Sequence, residues 1–139
     1  MRKFYNSLII IKLLIFIFLS GCQDFVIEEN VTGNYYLIAT DIYEDLALSY
    51  KLKEDGYLGV VGETVFSVGF NDDYIIAKQH PFNMKHITNY FIIPIYKEYT
   101  LYPEKGIIGP MNYIDFNKKL KELGIYNKIS FTIDYDKLK

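Results

Sequence analysis

From about residue 34 onward, apolar positions recur mostly with a period of two, in short runs separated by glycine, asparagine, aspartate and proline. That is the pattern of half-buried β-strands punctuated by turns. Gly33 and Asn34 open a first run through Tyr36, Leu37 and Ile38 to about Thr40. In the next, Leu46, Leu48, Tyr50 and Leu52 alternate with Ala47, Ser49, Lys51 and Lys53, and Glu54-Asp55-Gly56 then turns the chain. The runs Tyr57 to Val61 and Thr64 to Phe70 are joined by Gly62-Glu63, a connection that reads as a tight hairpin whose glycine supplies a positive φ. Asn71-Asp72-Asp73 marks a further turn, into Tyr74 to Gln79. The run Tyr90 to Ile95 carries Pro94, which has no N–H for a ladder, so this strand lies at a sheet edge or stops there. A last strand alternates Ile129, Phe131, Ile133 and Tyr135 with Ser130, Thr132 and Asp134.

The period changes once, near the C-terminus. Asn112 is a good N-cap, Asp115 falls near the positive end of the helix dipole, and Met111 can staple against Phe116. Tyr113, Phe116, Leu120 and Leu123 form one stripe at helical spacing, and Gly124 can take the left-handed cap conformation with Ile125 folding back on the last turn. An isolated amphipathic helix must bury its stripe, and a sheet is what the rest of the chain offers. The expected class is α+β: an antiparallel β-sheet of about six or seven short strands, with one C-terminal helix packed on a face.

Before this region the pattern is of another kind. Met1-Arg2-Lys3 is followed by an apolar run from Leu8 to Leu19, broken only by Lys12, and then by Ser20, Gly21 and Cys22. The run is shorter than the roughly 20 residues a membrane-crossing helix requires, and small residues follow it instead of a basic cluster. Leu19-Ser20-Gly21-Cys22 resembles the bacterial lipobox, which implies diacylglyceryl transfer to the Cys22 sulfur, cleavage before Cys22, and usually N-acylation with a palmitate-type chain. The domain organisation expected is therefore a lipoprotein signal peptide over 1–21, a lipidated tether over 22–32, and a single α+β domain over 33–139. Cys22 is the only cysteine, so a disulfide is not open to it, and a thioether to lipid removes an exposed thiol from an oxidising compartment.

Cleavage also shifts the charge. It removes Arg2, Lys3 and Lys12 and leaves 12 lysines against 17 acidic residues, a formal balance of −5, with no arginine. Nucleic-acid and phosphate sites lean on arginine forks and basic patches, so an acidic, arginine-free domain outside the cytoplasm argues against both. The remaining 118 residues suffice for one domain with its own core, without a disulfide or metal. Thirteen tyrosines and no tryptophan remain, a composition suited to half-buried sheet faces whose polar tips reach water.

The run Val65-Phe66-Ser67-Val68-Gly69-Phe70-Asn71-Asp72-Asp73-Tyr74-Ile75-Ile76-Ala77-Lys78-Gln79-His80-Pro81, with Gly109-Pro110 ahead of a helix containing Phe116, resembles small uncharacterised bacterial lipoproteins known only by a domain of unknown function. The resemblance implies a lipoprotein of this size and brings no activity, cofactor or catalytic residue with it.

Candidate chemistry is sparse. His80 and His86 are the only histidines, and their spacing does not set both rings on one helical face as metalloprotease motifs do. Ser49, Ser67 and Ser130 fall inside expected strands, without the sharp strand-to-helix elbow that exposes a nucleophile. Asp72-Asp73 reads as turn punctuation. No catalytic residue, metal ligand or cofactor is assigned. Tyr96, Tyr99 and Tyr102 recur at spacing three, and an exposed row of them would suit an envelope protein or glycan partner, whereas buried they would cover the sheet margin. The expected function is that of a membrane-anchored envelope lipoprotein with a non-catalytic binding or inhibitory, immunity-type domain. The alternative is a small envelope hydrolase using His80 or His86. The expected location is the cell membrane or outer membrane, held through lipid at Cys22.

Overall fold

The computed structural model describes residues 25–139. Cys22 and the segment read as a signal peptide lie outside the described residues. Among these residues nine strands and one α-helix follow in the order β1 (Ile27–Thr32), β2 (Tyr35–Ala39), β3 (Ala47–Lys51), β4 (Tyr57–Val61), β5 (Val65–Phe70), β6 (Tyr74–Gln79), β7 (Asn89–Pro94), β8 (Ile108–Met111), α1 (Tyr113–Glu122) and β9 (Ile133–Asp134). They make two antiparallel sheets and not one. The first has the order β1-β2-β3-β4 and the second β8-β7-β6-β5-β9.

The separation occurs at Gly62-Glu63. Instead of a hairpin, this connection carries the chain from one sheet to the other. The Val65 N–H donates to the Leu46 carbonyl, the Thr64 hydroxyl to the Glu44 carbonyl at 2.7 Å, and Thr64 and His80 exchange both backbone hydrogen bonds. These bonds satisfy backbone groups that a ladder would otherwise take up, and they fasten the two sheets at a corner.

Alternation along each strand decides which side chains enter which layer. Tyr35, Leu37, Leu48, Tyr50 and Val61 of the first sheet meet Val65, Val68, Ile75, Ala77 and Ile93 of the second in one buried cluster. The odd–even partners on β6 and β7, Ile76 and Ile92, face the other way and form a second cluster with Phe116, Leu120 and Ile125. The molecule is thus three layers deep: sheet, sheet, helix. Burying a Leu or Ile side chain contributes about 1.5–3 kcal/mol, so the wider inter-sheet cluster carries most of the stabilisation.

The helix forms as its caps dictate. Asn112 Oδ1 accepts the Asp115 N–H at 2.9 Å. At the other end, Gly124 at φ +68° lets the Ile125 N–H donate to the Leu120 carbonyl and its own N–H to Lys121, closing the last turn. Phe116 and Leu120 are buried against β6 and β7, Leu123 is half-buried, and Tyr113 stays exposed with its ring 5.6 Å from that of Tyr90.

Four local expectations change. The stretch read as tether up to residue 32 contains β1, which pairs with β2 from Ile27↔Ala39 onward. β7 is not an edge: it lies between β6 and β8, and Pro94 stands where the strand stops. β8, too short and too interrupted by Gly109-Pro110 to read as a strand, forms that edge. The final strand is ladder-paired only at Ile133–Asp134, against Val68 and Ser67. Ahead of it the chain presses so close to β5 that a Cβ on Gly69 would stand 1.8 Å from the Ser130 carbonyl oxygen. Only glycine fits there.

Chain reversals gather at two ends. Residues 26, 40–46, 62–64, 80–88 and 135–139 lie at one, which we call the near end, since Val26 enters there beside Ala39; residues 33–34, 52–56, 71–73 and 95–107 lie at the far end, and the Phe25 ring turns over the outer face of the first sheet toward Gly56 and Tyr57.

Candidate functional site

The segment from Ile95 to Ile107 holds the three tyrosines at spacing three, crossing the far end between β7 and β8. Two buried phenols of the first sheet hold it down. The Tyr35 hydroxyl donates to the Pro94 carbonyl at 3.1 Å and accepts the Tyr96 N–H at 3.5 Å, while the Tyr50 oxygen accepts the Thr100 N–H at 3.2 Å. Burial pushes the Tyr35 phenol above its ordinary pKa, partly offset by the Tyr96 N–H, so Tyr35 sits in the core as a neutral hydrogen-bonding group.

The three tyrosines do not share one exposed surface. Tyr96 is half-buried and donates from its hydroxyl to the Lys105 carbonyl at 2.8 Å. Tyr99 packs against the inter-sheet cluster, its oxygen accepts the Lys53 N–H at 3.4 Å, and Lys53 Nζ lies 4.5 Å from its ring centroid. Tyr102 alone is turned outward, 56% exposed, beside Leu101 at 63%, with Lys105 Nζ 4.3 Å from its ring. A large aromatic, an aliphatic and a cation side by side make a small contact surface for a polar-rimmed partner.

The histidines are likewise separated in role. His80 is buried, its ring stacked on Phe66 with centroids 4.1 Å apart, and its Nδ1 lies 2.7 Å from the Ile87 carbonyl. A carbonyl only accepts, so Nδ1 must carry the proton and His80 serves to close the loop after β6. His86 is exposed on that loop. Among the described residues no three His, Cys, Asp or Glu side chains converge as a metal would require. Ser49 and Ser67 are buried within strands. The Ser67 hydroxyl, opposite Asp134 in the β5–β9 ladder, and then the Lys139 ammonium 3.6 Å away hold the Asp134 carboxyl below the ordinary aspartate range.

A hollow of about 350 Å³ opens between α1 and β6, lined by Ile76, Lys78, Tyr113, Asn117 and Phe131 among others, with Lys78 Nζ 4.2 Å from the Phe131 ring. Its walls mix apolar side chains with the polar groups of Lys78, Asn117 and Ser130, and no carboxylate or histidine is among the residues that line it.

One cluster escaped the reading of the sequence. On the outer face of the first sheet, Tyr57 lies edge-on to Phe25 and Tyr36, donates from its hydroxyl to the Glu28 carboxylate, and sits with Tyr36 under Lys51 Nζ. Burial first, then the Glu28 charge, drives the Tyr57 phenol well above its usual pKa. The alternation of Tyr36 against Tyr35 is the signal that was there to find. Assigning Glu28 to a tether hid its partner.

The family model described as "Protein of unknown function (DUF3997)" matches residues 32–138, which takes in every strand but β1. The chain belongs to that family. No curated protein and no solved structure matches it. The family description names no reaction, ligand or partner, so function must be argued from the residues.

Proposed function

We propose that this DUF3997 protein is a lipid-anchored envelope lipoprotein, its folded domain held outside the cytoplasm and acting by binding or inhibition without catalysis. The observation that carries the reading is Leu19-Ser20-Gly21-Cys22 directly after a short apolar run. Two acyl chains on Cys22 and a third on its amine would hold the protein far more firmly than the marginal binding a single chain provides. The described residues fit this role: none of their helices is long and apolar enough to cross a membrane, and His80 is committed to a stack and a backbone bond. The partner surface we favour is Leu101, Tyr102 and Lys105 at the far end, where the chain offers an aromatic anchor pointing away from its entry point.

Cys22→Ser tests the anchor. Metabolic labelling with a palmitate analogue should mark the wild-type chain and not the variant, which should accumulate with residues 1–21 uncleaved. Equal labelling of both chains would remove the lipoprotein reading.

A further inference from the structure

Six large apolar side chains stand exposed on the loops and the helix turn of the near end. Ile42 and Tyr43 lie on the loop after β2 at 53% and 46% exposure, Phe82, Met84 and Ile87 lie on the loop after β6 at 83%, 36% and 37%, and Ile114 stands on the first turn of α1 at 77%. The topology brings them to one end. The loop after β2 is fastened to the corner at Thr64, which pairs with His80, whose ring holds Ile87, and Lys137 Nζ lies 5.5 Å from the Tyr43 ring while Lys85 Nζ reaches the Lys139 carbonyl at 3.0 Å. α1 starts at this end because β8 runs toward it, with Met111 opposite Tyr90. Phe82 and Asn83 take left-handed backbone angles, φ +52° and +57°, a strained arrangement for non-glycine residues that leaves the Phe82 ring standing in solvent.

The chain enters the fold at this same end. The Val26 N–H donates to the Ala39 carbonyl, one residue before the loop bearing Ile42 begins. Cys22 is three residues before Phe25. Three residues span at most about 11 Å, against about 5–8 Å for one layer of lipid headgroups and far less than the thickness of a folded domain. We propose that the near end is a second membrane contact: with Cys22 lipidated, Ile42, Tyr43, Phe82, Met84, Ile87 and Ile114 rest in the headgroup–acyl boundary and fix the domain upright, its far end turned to the aqueous phase.

The occupant is lipid because the leash leaves no room for anything thicker beneath this end. Aliphatic and aromatic side chains of this kind are those that settle at the interface. Charge does not draw this end to anionic lipid, since Lys85, Lys137 and Lys139 are outnumbered by Asp41, Glu44, Asp45, Glu63 and Asp136. The contact should therefore not require anionic lipid. It rests on the anchor at Cys22, but its test can be made independent of whether a cell attaches one.

Both buried clusters are drawn from residues 31–138, so a chain begun at Cys22 contains the whole core. As the only cysteine, Cys22 can be coupled to a maleimide-bearing lipid in phosphatidylcholine vesicles, and the absence of tryptophan makes a single introduced indole a clean reporter. The indole of Phe82→Trp, or of Ile42→Trp as a second probe, should shift to the blue on coupling and lose emission to lipid brominated near the glycerol end of its chains. The indole of Tyr102→Trp should do neither. Unchanged emission of the near-end probes on coupled vesicles would overturn the proposal, as would equal quenching at both ends, or protection of Phe82→Trp only when an envelope protein is added. Loss of palmitate labelling in the cell would refute the anchor and leave this readout as it stands.

Discussion

The two apolar clusters take alternate residues of the same strands: β6 sends Ile75 and Ala77 between the sheets and Ile76 under α1, while β7 sends Ile93 one way and Ile92 the other. Yet the clusters differ in kind. The inter-sheet cluster is walled on both sides by strands and clasped at its rim, where the Tyr135 hydroxyl donates to Glu29 across the two sheets. The helix-side cluster has five buried members, with half-buried tyrosines and an open hollow at its margin. Close-packed surroundings cannot collapse around a deleted side chain, whereas a single helix can settle onto a smaller one.

The comparison predicts a ranking. Ile93→Ala, at a fully buried inter-sheet position, should cost about 4 kcal/mol, and Leu120→Ala, under the helix, about 2–3 kcal/mol. Urea unfolding monitored by circular dichroism measures both. Equal losses, or a larger one for Leu120→Ala, would mean that α1 is as rigid a wall as a sheet.

Alkali probes the same contrast. Tyr35 and Tyr135 of the inter-sheet cluster and Tyr90 on the helix side have phenol pKa values raised by burial, that of Tyr135 further by Glu29. Unfolded phenols ionise near 10, before the folded ones do. Stability is therefore whole below pH 10 and declines as pH rises from there through the folded values. Ultraviolet titration should show a fraction of the phenols ionising only as the fold is lost, and Tyr135→Phe should blunt the decline. A single titration of all tyrosines near pH 10 without unfolding would count against the burial described here.

The smallest effect is expected outside both clusters. Tyr102→Ala removes an exposed ring, so the unfolding midpoint should stay within about 0.5 kcal/mol of wild type. A partner that uses this surface should nevertheless be captured more weakly from native envelope, and a loss of stability instead would assign Tyr102 to the covering role that Tyr96 and Tyr99 have.

What could be read from the sequence follows the range of the physics involved. The caps of α1, the Asn71 turn with its side chain accepting the Asp73 and Tyr74 N–H groups, and the alternation of Leu46 to Leu52 are set by neighbours within a few residues, and they were legible. The partition into two sheets was not. Gly62-Glu63 has the composition of a hairpin, and only Leu46, Glu44 and His80, brought from elsewhere in the chain, make it a crossing. β1 was lost because Glu28, Glu29 and Asn30 look like solvent-exposed linker until Tyr57 and Tyr135 supply partners for the carboxylates. For the same reason Tyr96, Tyr99 and Tyr102 look alike in a row, although hydrogen bonds to Lys105 and Lys53 draw two of them inward and leave the third free.

The short pairing of β9 with β5 also sets the order of assembly. Leu138 is buried in the inter-sheet cluster, and the Tyr135 N–H donates to Phe66. A chain made from its N-terminus has the first sheet and the β5–β7 meander by residue 94, so both walls of its main cluster precede β9 and the Leu138 side chain that close its rim. Closure over such separations is slow, and an unclosed apolar face is prone to aggregate. The stretch from Ile133 to Leu138 is thus the seal of a cluster whose two walls are made before it.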